Sequence, residues 1–233
     1  MTDLIGQYEQ YAEEFIVKPV FYNYFRSSAS YRVRIALALK NIPFDYLPVH
    51  LNRNGGEQFS REYRSINPQS LVPVFVEGSF TLSQSLAIIE YLDEKFPQPP
   101  LLPKAMHERA HSREIALTIA CDIHPLNNLR VLKALTGEFG LTEDAKHQWI
   151  ARWIESGFGG VETLLSQSNL RGRFCIGDLP TLADCCLVPQ IFNARRFGID
   201  MSHYPTLEAI EAECMKLDAF RAAHPGTQPD SEG

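Results

Sequence analysis

The chain predicts an α/β half followed by an all-helical half. Three observations lead there. Residues 20–100 alternate short strand-like runs with helical ones, in the order β-α-β and then β-β-α. The run Phe96-Pro97-Gln98-Pro99-Pro100-Leu101-Leu102-Pro103 then breaks the pattern, because proline lacks the N–H a helix needs and clashes with the turn before it. Beyond that linker almost every segment has helical periodicity.

The elements follow in order. In residues 1–19, Leu4, Ile5, Tyr8, Tyr11, Ala12, Phe15 and Ile16 share one helical face. This amphipathic arm docks on its own domain or covers a partner. Val20 to Tyr24 reads as a strand, Ser30–Lys40 as a helix and Phe44 to Val49 as a second strand, which together make a βαβ unit. An irregular stretch containing Gly55-Gly56 comes next. Val74 to Glu77 and Phe80 to Leu82 flank Gly78-Ser79, and a glycine at the first loop position suits a type II′ hairpin. Ser85–Lys95 reads as a helix with Leu86, Ile89 and Leu92 on its apolar side. After the linker, Thr142 before Glu143-Asp144 marks a helix start. Thr181-Leu182-Ala183-Asp184 reads as a capping box with Asp in place of Glu. Pro205 opens the last helix, and His224 to Gly233 reads as a loose tail. The predicted domains are an arm over 1–19, an α/β domain over 20–100 and a helical domain over 104–233.

Composition narrows the function. Of 233 residues, 45% are apolar, enough for a sizeable core. The net charge of −6 argues against a nucleic-acid partner. The start, Met1-Thr2-Asp3-Leu4, has no basic leader region, and no apolar run approaches the roughly 20 residues of a membrane span. The chain therefore reads as soluble and cytoplasmic. Its five cysteines, Cys121, Cys175, Cys185, Cys186 and Cys214, are odd in number and lack metal-type spacing. They read as reduced, buried thiols, and no metal is expected.

The segment Ser27-Ser28-Ala29-Ser30-Tyr31-Arg32-Val33-Arg34 is the most informative one. A strand that enters a helix through serines and alanine brings hydroxyls and free N–H groups to the helix N-terminus, a site for an anion or a thiolate. Capping by Ser28 or Ser30 is the alternative use of those hydroxyls. Arg32 and Arg34 stand near the positive end of this helix, where the dipole disfavours cations, so some other interaction must hold them.

Several blocks now carry a resemblance. Tyr24-Phe25-Arg26-Ser27-Ser28-Ala29-Ser30-Tyr31-Arg32-Val33-Arg34 is similar to the signature of zeta-class glutathione transferases, which include maleylacetoacetate isomerase. Asn67-Pro68-Gln69-Ser70-Leu71-Val72-Pro73, Gln84-Ser85-Leu86-Ala87-Ile88-Ile89-Glu90, Asp122-Ile123-His124-Pro125-Leu126-Asn127-Asn128-Leu129-Arg130, Leu182-Ala183-Asp184 and Leu187-Val188-Pro189-Gln190 match further blocks in the same order. The resemblance covers about residues 20 to 230. It implies the glutathione transferase fold, with a thioredoxin-like first domain and an all-α second domain, glutathione as cofactor, and a homodimer.

The resemblance also implies roles. Ser28 ligates the glutathione thiolate, with Ser27 as second candidate. Val72, before a cis proline, offers its backbone to the cysteinyl unit. Gln84 and Ser85 receive the γ-glutamyl carboxylate, and Gln58 contacts the glycyl end. His124 and Asn128 lie near glutathione. Arg26 and Arg196 hold substrate carboxylates in their planar forks, with Arg195 the neighbouring alternative. The implied reaction is addition of the thiolate to a cis double bond, rotation and elimination, as in maleylacetoacetate isomerisation. Maleylpyruvate isomerisation, conjugation of electrophiles and a non-catalytic glutathione-binding module are the alternatives. One departure stands out. Many family members carry cysteine at Ala29 and tryptophan at Tyr31, so an essential role for that cysteine does not extend to this chain.

Overall fold

The computed structural model describes residues 18–232. They form two compact units, residues 18–100 together with 218–232, and Leu101–Leu217. The arm expected over 1–19 lies, apart from residues 18 and 19, outside the described residues.

The first unit contains β1 (Val20–Asn23), α1 (Ser28–Leu39), β2 (Asp45–Pro48), α2 (Arg61–Ile66), β3 (Val74–Glu77), β4 (Phe80–Ser83) and α3 (Ser85–Lys95). The sheet order is β2-β1-β3-β4. β2 runs parallel to β1, as the βαβ pattern requires, while β3 and β4 are antiparallel to their neighbours. The hairpin turns through Gly78 at φ +57°, a left-handed value that glycine adopts without a Cβ penalty. α1 is buried along nearly its whole length rather than along one stripe. The reason is that it carries α3 on one side and a C-terminal helix, α9 (Asp218–Ala222), on another. Lys40, at the end of α1, is fully buried. Its Nζ donates to Asp93 (2.7 Å), to the Phe96 carbonyl (2.6 Å) and to the Pro99 carbonyl (2.8 Å), which ties down the proline-rich linker.

The register of the sheet positions the site. Tyr22 pairs with Val74, Val74 with Ser83, and Asn23 with Pro48. The turn after β1, the segment before β3, the start of α3 after β4 and the loop after β2 therefore all emerge at one end of the sheet.

The C-terminal segment departs from expectation. The sequence predicts a loose tail from His224 and places everything to residue 233 in the helical domain. Residues 218–232 instead fold onto the first unit. Tyr31 Oη donates to the Phe220 carbonyl (3.4 Å), Arg34 Nε to the Ala223 carbonyl (3.0 Å), and Phe25 N–H to Asp230 (3.0 Å). Glu232 pairs with Arg53 at 2.5 Å. All these partners lie in or beside β1, α1 and the loop after β2, so local periodicity in the tail could not reveal them.

The second unit is helical. α4 (Met106–Leu117) passes through a π-helical turn, Thr118–Ile123, into a 3-10 turn, His124–Asn127. Then come α5 (Leu129–Gly137), α6 (Glu143–Gln167), α7 (Leu182–Arg196) and α8 (Pro205–Cys214). α6 buries Ile150, Ile154, Phe158, Val161 and Leu165, steps of four and three that keep one face inward. Gly157 lets that helix approach the π turn, since a Cβ there would stand 2.3 Å from Ile123. α7 is buried without interruption from Leu182 to Ile191. Asp184 accepts from the Thr181 N–H (2.7 Å), the Thr181 hydroxyl (2.8 Å) and the Cys175 N–H (2.8 Å), so the acid of the expected capping box reaches back to its cap. Glu162 of α6 caps α8 by accepting from the Thr206 and Leu207 N–H groups at 3.0 and 3.1 Å. Four cysteines are buried, but Cys121 is exposed, which corrects the expectation for that residue. No helix among the described residues is long and apolar enough to cross a membrane.

Candidate active site

The site begins with a tight turn. Ser27 N–H donates to the Tyr24 carbonyl (3.0 Å), which leaves Phe25 and Arg26 at its apex. Ser27 is extended, at φ −69° and ψ 119°, and its Oγ accepts from the Ser30 N–H at 3.2 Å. The cap of α1 is therefore Ser27, rather than Ser28 or Ser30, and the helix starts at Ser28, two residues earlier than its apolar pattern suggests. The N–H groups of Ser28 and Ala29 find no acceptor among the described residues. No acidic residue occupies the first turn. Ser28 is 6% exposed and its hydroxyl makes no hydrogen bond among the described residues. An uncompensated positive helix end with hydroxyl donors is the result.

The two anomalous arginines have partners. Arg34, buried, donates from Nη2 to the Phe25 carbonyl (2.8 Å) and from Nη1 to Asn23 Oδ1 (3.1 Å) and the Tyr24 carbonyl (3.4 Å). Burial lowers its pKa to about 10, still well above neutrality. Arg32 Nη1 donates to Ser85 Oγ at 3.3 Å, which brings its charge to the first residue of α3.

The start of α3 is a second anion-compatible end. Gln84 precedes it at φ +75° and ψ 114°, a left-handed conformation that a side chain disfavours. Its amide donates to Gln69 Oε1 (3.0 Å), and no side chain caps the helix. Val72-Pro73, immediately before β3, is cis. Tyr63 Oη (2.6 Å) and Asn67 Nδ2 (2.8 Å) hold this segment through the Leu71 carbonyl. Gln58 is buried, with Nε2 3.5 Å from the Leu51 carbonyl and Oε1 without a partner among the described residues. Gly56, at φ +110°, passes so close that a Cβ would meet the Gln58 amide at 2.7 Å. Arg26 is half-buried with its guanidinium 5.6 Å from the Phe25 ring and 6.0 Å from the Tyr24 ring. It has no carboxylate partner among the described residues.

The other predicted residues belong to the second unit. His124 opens the 3-10 turn after the π turn. Asn128 caps α5 by accepting from the Arg130 N–H at 3.2 Å, which leaves its amide nitrogen as a donor. Arg195 is committed to Glu211 (2.6 Å) and Glu208 (3.5 Å). Arg196 is exposed in the last turn of α7, with its guanidinium 4.9 Å from the Phe197 ring. The sequence pattern did not single out Asn127, whose amide is buried with neither atom bonded among the described residues. Its place in a His-Pro-Leu-Asn-Asn run was the available signal.

Comparison with known proteins decides the family. Residues 21–100 match the glutathione S-transferase N-terminal domain. A probable maleylacetoacetate isomerase of Vibrio cholerae is 49% identical over 91% of this chain and 98% of its own. The holo structure of maleylpyruvate isomerase, described as a bacterial zeta-class glutathione S-transferase, is 48% identical at a TM-score of 0.88, covering 91% of this chain and 99% of that one. The chain belongs to the zeta-class glutathione S-transferases. A further similar structure, the maleylacetoacetate isomerase of Methylobacterium extorquens AM1 with malonate and GSH bound, is 39% identical at a TM-score of 0.88, covering 92% of this chain and all of that one. As a zeta-class chain this protein keeps the serine pair but has no cysteine in its thioredoxin-like unit. At Tyr31 the ring is buried and its hydroxyl is turned to the Phe220 carbonyl, so it serves the tail contact.

Proposed function

We propose that this chain is a glutathione-dependent cis–trans isomerase that converts maleylacetoacetate to fumarylacetoacetate. The start of α1 carries this reading. It offers two serine hydroxyls and two open N–H groups, with no acid in the first turn, in a unit that has no thiol of its own. Bound glutathione supplies a thiol nucleophile that adds to the cis double bond and departs after rotation. The protein's residues bind, orient and charge-balance. The Ser28 hydroxyl donates to sulfur and, with the helix end, favours the thiolate. Ser27 shares that duty: its oxygen accepts from the Ser30 N–H, and its hydroxyl proton remains to be donated. The first turn of α3, with Arg32 behind Ser85, receives the γ-glutamyl carboxylate. Val72 and Gln58 hold the rest of the tripeptide. Arg26 grips a substrate carboxylate, and its charge stabilises negative charge developing on the conjugated carbonyl oxygen.

Maleylpyruvate is the second reading, because a maleylpyruvate isomerase is as similar to this chain as a maleylacetoacetate isomerase is. Side-by-side assay of both acids, with and without glutathione, tests both. Turnover of one or both acids that requires glutathione and does not consume it is expected. No turnover of either, with glutathione bound, contradicts isomerisation and leaves conjugation or binding alone. We also read the chain as a cytoplasmic homodimer that covers the exposed Phe59 and Phe80, and sedimentation as a monomer would contradict the second part of that reading.

A further inference from the structure

The turn that presents Arg26, Ser27 and Ser28 is held by the far end of the chain. Its apex residue Phe25 donates its N–H to Asp230 Oδ2 at 3.0 Å, across 205 positions of sequence. The other oxygen of that carboxylate accepts from the Tyr46 hydroxyl. On the opposite side of the same peptide units, Arg34 holds the carbonyls of Tyr24 and Phe25, and Arg34 is itself anchored to the Ala223 carbonyl (3.0 Å). Asp230 also raises the proton affinity of Arg34 electrostatically, which marks it as a nearby anion facing this buried cation. Both grips on the turn thus end in residues 218–230.

We propose that Asp230, acting with Arg34 and Tyr46, is a positioning residue for the isomerase reaction. Its carboxylate fixes the peptide plane of Phe25, and that plane sets where the Arg26 guanidinium and the Ser27–Ser28 hydroxyls stand. A turn closed by one backbone bond alone would let these groups drift, and misplacement of about 1 Å near reacting atoms costs up to roughly a hundredfold in rate. The inference rests on the reading that Ser28 and Arg26 serve the chemistry.

The test compares Asp230→Ala, Asp230→Asn and Tyr46→Phe in the full chain. Ile154→Val, in the core of the second unit, is the destabilised control. Each variant is measured for kcat and KM with the diacid and for the thiol pKa of bound glutathione by thiolate absorbance. Asp230→Ala should lower kcat by roughly ten- to a hundredfold and raise the thiol pKa. Asp230→Asn, which keeps one acceptor, should fall between it and wild type, and Tyr46→Phe should lose least. Ile154→Val should alter stability and neither of the other quantities. Should Asp230→Ala fail to fold, Asp230→Asn and Tyr46→Phe carry the same comparison. Wild-type kcat and thiol pKa in the folded Asp230 variants would overturn the proposal, as would losses no larger than those of the control. Ser27→Ala and Ser28→Ala run alongside. If they shift the thiol pKa and the Asp230 variants do not, only the positioning role fails. If neither serine variant matters, the parent reading fails with it.

Discussion

Arg26 and Arg34 show how differently two arginines eight positions apart can be used. Arg26 has no carboxylate partner among the described residues, whereas Arg34 spends its donors on three backbone carbonyls and one side-chain amide. Arg26→Ala should therefore leave stability nearly unchanged. It should raise KM for a diacid by roughly tenfold or more, the worth of a charge-assisted hydrogen bond. A neutral electrophile should be far less affected, and equal effects on both substrates would exclude a carboxylate clamp. Arg34→Ala should cost about 3 kcal/mol or more in urea unfolding, because it strands several buried acceptors at once. The sequence displayed both arginines and the dipole conflict around Arg34. It could not display the resolution, because one of the compensating carbonyls lies 189 positions away.

At the scale of elements, the start of α1 gives Ser27 both the cap and a share in the chemistry, and Ser28 the chemistry alone. Ser27→Ala removes the cap and should cost about 1 kcal/mol, read as a lower unfolding midpoint. Ser28→Ala should leave that midpoint in place and raise the thiol pKa of bound glutathione. The strands, the hairpin, α3 and the capping box of α7 were legible because each rests on local patterning or turn chemistry. The start of α1 was displaced by two residues because a run of serines offers several caps and only the extended backbone of Ser27 selects one. Gln58 was legible only by resemblance. Its burial depends on the close passage of Gly56, which has no sequence period. The C-terminal segment carries a pH response. Burial, helped by the Arg34 charge, lowers the imidazole pKa of His224 below its usual 6.5, and its Nδ1 accepts from the Gly226 N–H at 3.0 Å. The unfolded chain takes up that proton more readily than the folded one. The stabilising contribution is therefore complete above pH 6.5 and is lost as pH falls below it. The drop in unfolding midpoint between about pH 7 and about pH 5 should be smaller in His224→Asn. An identical drop would remove His224 as the cause.

Across the whole molecule, the α/β-then-helical division was legible from the change of period and the proline linker. The return of residues 218–232 to the first unit was not, since Asp230 and Glu232 look like ordinary tail acids until β1, the following turn and the loop after β2 are seen beside them. The same topology gathers four loops at one sheet end, where, among the described residues, an uncapped α3, an unbonded Gln58 carbonyl and the open start of α1 suit a tripeptide thiol. A borrowed thiolate activated by that end is most directly tested by titrating the thiolate absorbance of glutathione bound to the full-length protein. The bound thiol should titrate at least about one unit below the free value of about 8.5. That difference should disappear in the Ser27→Ala/Ser28→Ala double variant. A bound thiol that titrates like free glutathione in the wild-type protein would contradict the assignment of α1 as the activating site.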